Sequence, residues 1–301
     1  MSRVKRIGFN FFRSTTETED GRTVTLNLSN IFEHIREQYQ HGRENGMDEY
    51  KRVYTYNSEP ARLSQVNFDV TAQYYHLTFE RLNYSLPNKT TLHGDSEMLD
   101  LETDEFIGHE ATVLYDSQNH ILMIQRNRDS LGPAAIGAFI QALVSEAGVA
   151  NNFCAAMITD NGARRRAFNQ AAYRKITTKV VGAKANGLLE RLFDGNPDVA
   201  SIEISFNSRP AKDAEIDHDF ARQLLDNFVD DPEVERLRIR AREDDESPVE
   251  PIDLISHKLE ASQTVDLRTD RQLNTYRVFE YMVTLYDRED GGYKNRILRM
   301  G

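Results

Sequence analysis

Four arginines stand at every second position of one short run: Arg236, Arg238, Arg240 and Arg242, with Leu237, Ile239 and Ala241 between them. Successive side chains of a strand point to opposite faces, so this spacing puts all four guanidinium groups on one face and the apolar residues on the other. Guanidinium groups held that close repel unless anions lie between them. The anions are either carboxylates of the chain itself or phosphates of a nucleic acid, which arginine binds in bidentate fashion. Glu203 is the first carboxylate to consider, and Glu233, Glu235 and the acidic run 243–246 lie close by. That local acidity favours internal pairing.

A second basic cluster fills residues 151–190, where Arg164, Arg165, Arg166, Arg174, Lys175, Lys179 and Lys184 face only Asp160 and Glu190. This local excess of +5 leaves −16 for the rest of the chain, whose net charge is −11. A local basic footprint is what binding to a phosphate backbone requires, and overall acidity does not forbid it. The segment ARRRAFNQAAYRK after Asp160-Asn161-Gly162 is expected to be a helix, with Arg166, Asn169, Gln170 and Tyr173 sharing the face opposite Phe168, Ala171 and Ala172. Such a face would hold phosphate through arginine and amides and stack a base on the aromatic ring. The candidate nucleic-acid residues are therefore Arg164, Arg165, Arg166, Tyr173, Arg174, Lys175, Lys179, Arg236, Arg238 and Arg240. The competing explanation is a solvated basic face paired with the surrounding acids.

Other chemistry finds little support. His34, Glu37 and His41 are spaced i, i+3, i+7, and Asp253 and His257 are spaced i, i+4, while Asp217-His218-Asp219 is too local for one helical face. The chain has no HExxH, GxxxxGK[ST], GxSxG or strand-linked GxGxxG, so zinc hydrolysis, nucleotide-driven motors, α/β-hydrolases and Rossmann dehydrogenases are disfavoured. A PD-(D/E)xK nuclease core would need a lysine after Glu203, and Pro197-Asp198…Glu203-Ile204-Ser205 lacks it. No catalytic residue, metal ligand or cofactor is assigned, and the balance leans away from an enzyme. Cys154, inside the apolar run FCAAMIT (153–159), is expected to be an inert core residue of a buried strand.

These residues need elements to position them. The chain has 301 residues, 39% hydrophobic, with 15 Phe and 13 Tyr, enough to bury a real core in one or two domains. A single cysteine forbids an intramolecular disulfide, and no stretch approaches the ~18–20 apolar residues of a membrane span. The start, MSRVKRIGFNFFR, alternates like a strand and not like a signal peptide. A cytoplasmic homo-oligomer without membrane contact is expected, with a protein partner besides any nucleic acid.

Strands are expected at 4–13, 22–28, 50–56, 74–82, 201–206 and 234–242, and helices at 29–40, 213–229 and 271–287. Residues 41–49 read as a loop and 83–108 as a long excursion. The clearest unit is 109–148: the hairpin ATVLYD-SQNH-ILMIQRNR, then a helix from Pro133 with Ile136, Phe139, Ile140, Leu143, Val144 and Ala147 on one stripe and Gly148 at its end. Helices and hairpins interspersed in this way predict an α+β fold with mixed, largely antiparallel sheets and packed helices. The expected domains are 1–150 and 151–301, with a single domain as the alternative.

At ATVLYDSQNHILMIQRNRDSLGPAAIGAFIQAL the chain resembles a family of uncharacterised bacterial and mobile-element proteins with an LYD…IQRN hairpin and a Ser/Gly-rich helix start. KRIGFNFFR and YMVTLYDREDGGYKNRIL extend the likeness over most of the chain. The arrangement looks loosely like the RexA and KwaB proteins. The resemblance implies a non-catalytic, DNA-binding component of an abortive-infection-like phage-defence system, and it carries over no catalytic residue. A metal-dependent nuclease effector and an acidic interaction module or DNA mimic are the alternatives. The last draws on the 19 acids and 9 bases of residues 191–260.

Overall fold

An alternating strand needs cover on its apolar face, and the long N-terminal strands of this chain are covered on both. The computed structural model describes residues 4–47, 49–56, 58–160, 162–190, 199–211, 214–229, 231, 234–255, 257–266, 273–289 and 291–300, with only the backbone of 182–184. The chain forms two compact units, 1–157 with 263–296, and 158–262 with 297–301. These units do not follow the 1–150 and 151–301 halves, because residues 263–296 pack with the first. The fold is α+β, and every strand pair with a resolved register is antiparallel. No helix of the described residues is long and apolar enough to cross a membrane.

The first unit contains β1 (Val4–Glu17), β2 (Thr23–Thr25), α1 (Ser29–Glu44), β3 (Arg52–Tyr56), β4 (Glu59–Asp69), β5 (Tyr74–Asn83), β6 (Asn88–Thr90), β7 (Ser96–Met98), β8 (Ile107–Asp116), β9 (Ile121–Arg126), α2 (Pro133–Glu146) and β10 (Cys154–Met157). The second contains α3 (Ala163–Phe168), β11 (Ala172–Val181), α4 (Gly182–Glu190), β12 (Ser201–Asn207), α5 (His218–Phe228), β13 (Val234–Arg242) and β14 (Glu250–Asp253). The chain then returns through β15 (Glu260–Asp266), α6 (Thr275–Asp287) and α7 (Tyr293–Met300).

The main sheet runs β10-β1-β9-β8-β5-β4-β3, with β2 and β15 also pairing β1. On one face Tyr75, Leu77, Phe79, Val113, Tyr115, Leu122 and Ile124 meet α1 and α2 in the main core. Phe139 of α2 is 4% exposed and lies edge-on to Phe79 and Tyr54. On the other face α6 packs over β8. There His76 stacks on Phe279 with centroids 4.5 Å apart, and Tyr74 meets Tyr286 edge-on at 5.4 Å.

The LYD…IQRN segment turns out to be structural. Asp116 is fully buried. Its carboxylate accepts from the Gln118 and Asn119 amides (2.9 and 3.1 Å), from Asn119 Nδ2 (2.7 Å) and from the Tyr286 hydroxyl (2.9 Å). It therefore closes the β8–β9 turn and fastens α6 to the sheet. Gln125 accepts from the Thr112 amide, Asn127 donates to the Glu110 carbonyl, and Ser130 donates to the His109 carbonyl just before α2.

Several expectations need correction. α1 runs on to Glu44, into the 41–49 segment expected to be a loop; Leu28 stands at its N-cap without a side-chain cap, and Asn27 just before it accepts from the Ser29 amide. The strand β4 lacks strict alternation because a bulge falls between Leu63 and Gln65, and it went unforeseen. Ala147 is exposed, so the α2 stripe ends at Val144, although Gly148 does take the left-handed conformation (φ +62°). Cys154 is exposed on β10, the end strand of the sheet path, not buried in a core. Tyr276 lies on the α6 stripe yet is 51% exposed, and residues 271 and 272 of that expected helix lie outside the described residues.

Replacing Phe139 by Ala should cost about 3–5 kcal/mol, read by denaturant unfolding; a loss below 1 kcal/mol would contradict its core position. A second expectation concerns acid. Burial pushes the His76 imidazole down to about 4, against a smaller upward pull from Asp69. Above the unfolded value of about 6.5 both states are neutral and the full stability is present. As pH falls from about 6.5 to about 4, the unfolded chain takes up a proton that the fold resists, and about 3 kcal/mol is lost. His76→Phe, which keeps a ring against Phe279, should flatten the stability–pH curve in that window by about this amount.

Candidate nucleic-acid interface

The segments KITTKVV, SIEISFN and VERLRIRAR fold as three neighbouring strands, in a sheet ordered β12-β11-β13-β14. The register makes polar rows. Lys175 pairs with Asn207 and Arg240, Thr177 with Ser205 and Arg238, and Lys179 with Glu203 and Arg236. Asp253 continues the middle row beside Arg238, and Pro251 continues the first beside Arg240. The intervening residues, Ile176, Val180, Leu237, Ile239 and Ile252, are buried with Ala221, Leu225 and Phe228 of α5 and with Ala163 and Ala167 of α3. The helices of this unit thus cover one face, and the charged rows occupy the other.

Two bulges tune the face. Between Tyr173 and Lys175 the extra residue is Arg174, and between Arg236 and Val234 it is Glu235. Each turns a residue out of the alternation. Arg174 donates to the carbonyls of Ala211 and Ala214, so it holds a loop. Glu235 reaches Lys179 at 2.5 Å.

The arginine strand has the expected pattern, and its anions are largely internal. Arg236 pairs with Glu203 at 2.5 Å, the partner expected from the sequence; both side chains are open to solvent, at 43% and 48%. Arg238 pairs with Asp253 at 2.7 Å and Glu260 at 3.4 Å, and those carboxylates are only 3% and 4% exposed. Burial works to lower the Arg238 pKa, but the hydrogen bond to Asp253 and the charges of Glu260 and Asp253 outweigh it and raise it. Arg242 pairs with Asp245 at 3.0 Å.

The structure separates the ten candidate residues. Lys175, Lys179, Arg236, Arg238 and Arg240 share the open face. Arg164 and Arg165 are exposed on α3. The helical wheel fails because α3 ends at Phe168: Asn169 caps it, and the chain enters β11 at Ala172. β-Branched residues from Ile176 onward carry the strand. Tyr173 is therefore buried, donating its hydroxyl to the Ala167 carbonyl, and cannot stack a base. Arg166 turns inward to the buried Asp160. The side chain of Lys184 lies outside the described residues. Sequence reasoning missed the hydroxyl pair Thr177–Ser205 (3.1 Å), as well as Asn207 at the end of β12. The alternation of SIEISFN was the available signal.

The metal and nuclease candidates have other roles. Asp217 caps α5 by accepting from the Phe220 amide at 2.9 Å. Asp253 sits on β14, paired with Arg238 of β13, so the helical i, i+4 pairing with His257 does not arise. Pro197 and Asp198 lie outside the described residues. Among the described residues no group of three or more His, Cys, Asp or Glu is placed to hold a metal ion. In the first unit a cleft of about 320 Å³ opens between α1 and α2 over Ile31, Ile35 and Leu143. Its polar wall is engaged already, with Arg52 on Glu146 and Gln38.

The chain belongs to DUF6731, a family of unknown function whose profile matches residues 2–297. No curated protein matches it.

The two arginine pairs should separate on mutation. Arg238→Ala leaves Asp253 and Glu260 buried without their cation and should cost about 3 kcal/mol, the low end for a broken buried pair because the arginine itself is 34% exposed. Arg236→Ala removes a solvent-exposed pair and should cost under about 1 kcal/mol. Chemical denaturation of both variants checks this; equal losses would contradict it.

Proposed function

We propose that the protein is a non-catalytic nucleic-acid-binding component of an anti-phage, abortive-infection-like defence system. In this reading the open face of the β12-β11-β13-β14 sheet holds the phosphate backbone. The observation that carries it is the register that aligns Lys175, Thr177 and Lys179 with Arg240, Arg238 and Arg236. Neighbouring strands lie about 4.8 Å apart, and like-facing residues along a strand about 6.7 Å apart, a grid of donors on the scale of successive phosphates in an extended strand. Lys175 has no ion-pair partner among the described residues. The exposed Arg236–Glu203 pair is worth about 0–1 kcal/mol, so a phosphate can replace Glu203 at small cost. Arg238 stays fixed to its buried carboxylates and orients the centre of the face. The phage-defence setting rests on the resemblance of the LYD…IQRN segment and the chain ends.

The acidic-module reading is favoured by one observation: Glu203, Glu235, Asp253 and Glu260 already balance most of the cations on this face. The two readings part on salt-dependent binding.

Fluorescence anisotropy with labelled single-stranded DNA, single-stranded RNA and duplex tests the proposal. Binding should appear at low salt, with log K falling linearly in log salt. Lys175→Glu should weaken it at least tenfold and reduce the slope by about 1. Arg165→Glu, on the other side of the unit's core, should change it little. Absence of binding to all three at low salt would overturn the reading and promote the acidic module.

A further inference from the structure

The cleft between α1 and α2 of the first unit lies where two apolar helix stripes run on past the core. Ile31 and Ile35 of α1 and Leu143 of α2 form its floor, and Ala147 and Val149 form its lip. Ala147 continues the α2 stripe beyond Val144, yet it is exposed, and Val149 is 49% exposed. The chain thus places apolar residues where it does not itself cover them. The cleft holds about 320 Å³, the small end of the range for ligand sites. At about 30 Å³ for each water in the liquid, that is room for about ten waters, or for a ligand of about ten non-hydrogen atoms.

One wall of the cleft is polar, and its hydrogen bonds make it a wall of donors. Arg52 donates from Nη2 to Gln38 Oε1 at 2.7 Å, which fixes the two ends of that amide. Gln38 Nε2 lies 3.0 Å from His34 Nε2. An amide nitrogen only donates, so His34 Nε2 accepts and the proton of the neutral ring sits on Nδ1. Neither His34 Nδ1 nor the Asn30 side chain has a partner among the described residues. Arg52 meets only Gln38 and Glu146, which leaves donors of its guanidinium to spare. The Arg52–Glu146 pair spans 3.2 Å, with the side chains 32% and 48% exposed, and such a pair exchanges at small cost. Glu146 also accepts from the Tyr54 hydroxyl, so it keeps a donor when Arg52 turns to another anion.

We propose that this cleft binds a small monocarboxylate with a hydrocarbon body of about eight carbons. The carboxylate lies on Arg52, with the donors of His34 and Asn30 on the same wall, and the hydrocarbon covers Leu143, Ala147 and Val149. A guanidinium suits a carboxylate because its planar donors match both oxygens. An ammonium head would meet the same donors with its own charge of like sign, and a hydroxyl head would forgo the charge-assisted bond. The site lies wholly within the first unit and uses no residue of the open sheet face, so it stands or falls separately from the function proposed above.

Isothermal titration calorimetry of the full chain with octanoate, octanol and octylamine at neutral pH tests this. Octanoate should bind at one site per chain with Kd below about 1 mM. Octanol and octylamine should each bind at least tenfold more weakly, because neither makes a charge-assisted bond to the guanidinium. Arg52→Gln should weaken octanoate at least tenfold and leave octanol unchanged, a split that a general loss of structure would not produce. Ala147→Trp, at an exposed position, should fill the cleft and abolish binding of octanoate. His34→Ala, also exposed, should weaken octanoate but not octanol, and it keeps the test valid if either of the other variants fails to fold. Absence of octanoate binding, equal affinity for octylamine, or octanoate binding that survives in folded Ala147→Trp would each overturn the proposal.

Discussion

A buried carboxylate must have its oxygens met by donors, because an ionised carboxyl left alone in the interior costs far more than the few kcal/mol by which a domain is stable. Both units are organised by that requirement. In the first, Asp116 gathers two turn amides, the Asn119 side chain and the Tyr286 hydroxyl, so one side chain sets the β8–β9 turn and anchors a helix 170 residues further along the chain. The Tyr286 phenol is held protonated, its pKa raised by burial first and by the Asp116 charge second. Tyr74, beside it, donates to Asp287 at 2.6 Å and accepts from Lys294 at 2.8 Å, which ties α6 and α7 to the same sheet face.

In the second unit the same constraint shapes the candidate interface. Asp253 and Glu260 are almost fully buried and fix Arg238 between them, whereas Glu203 and Glu235 sit in solvent. The face therefore combines one immobile cation with neighbours whose ion pairs are individually weak. Such an arrangement keeps the strands from repelling one another, and under the proposed function the exposed pairs would release their cations to a competing polyanion. Asp160 does comparable work away from the face, where it accepts from the Gly162 amide at 2.9 Å and takes Arg166.

How much of this was legible follows from the range of the interactions. The arginine alternation is a local, period-two signal, so the strand, its faces and even the Glu203 partner could be read from the sequence. The stripe of α2 was equally local. Tyr173 was misplaced because apolar and basic residues continue past Asn169 in a helix-compatible pattern, and only the pairing with Ala241 decides for a strand. Cys154 looked buried because FCAAMIT is apolar, yet burial depends on whether a strand ends the sheet, which no local pattern encodes. The Asp116–Tyr286 bond joins residues 170 apart, and the segment around Asp116 could be recognised as distinctive without its reason being visible.

The central claim, that the open face of the second unit is the binding surface, is tested most directly by lysine footprinting. The intact protein is acylated with and without a single-stranded oligonucleotide at low salt, and each lysine is quantified by mass spectrometry. The account requires Lys175 and Lys179 to lose reactivity when the oligonucleotide is bound, while Lys51 of the first unit keeps its own. Bound oligonucleotide with Lys175 and Lys179 as reactive as before would contradict it.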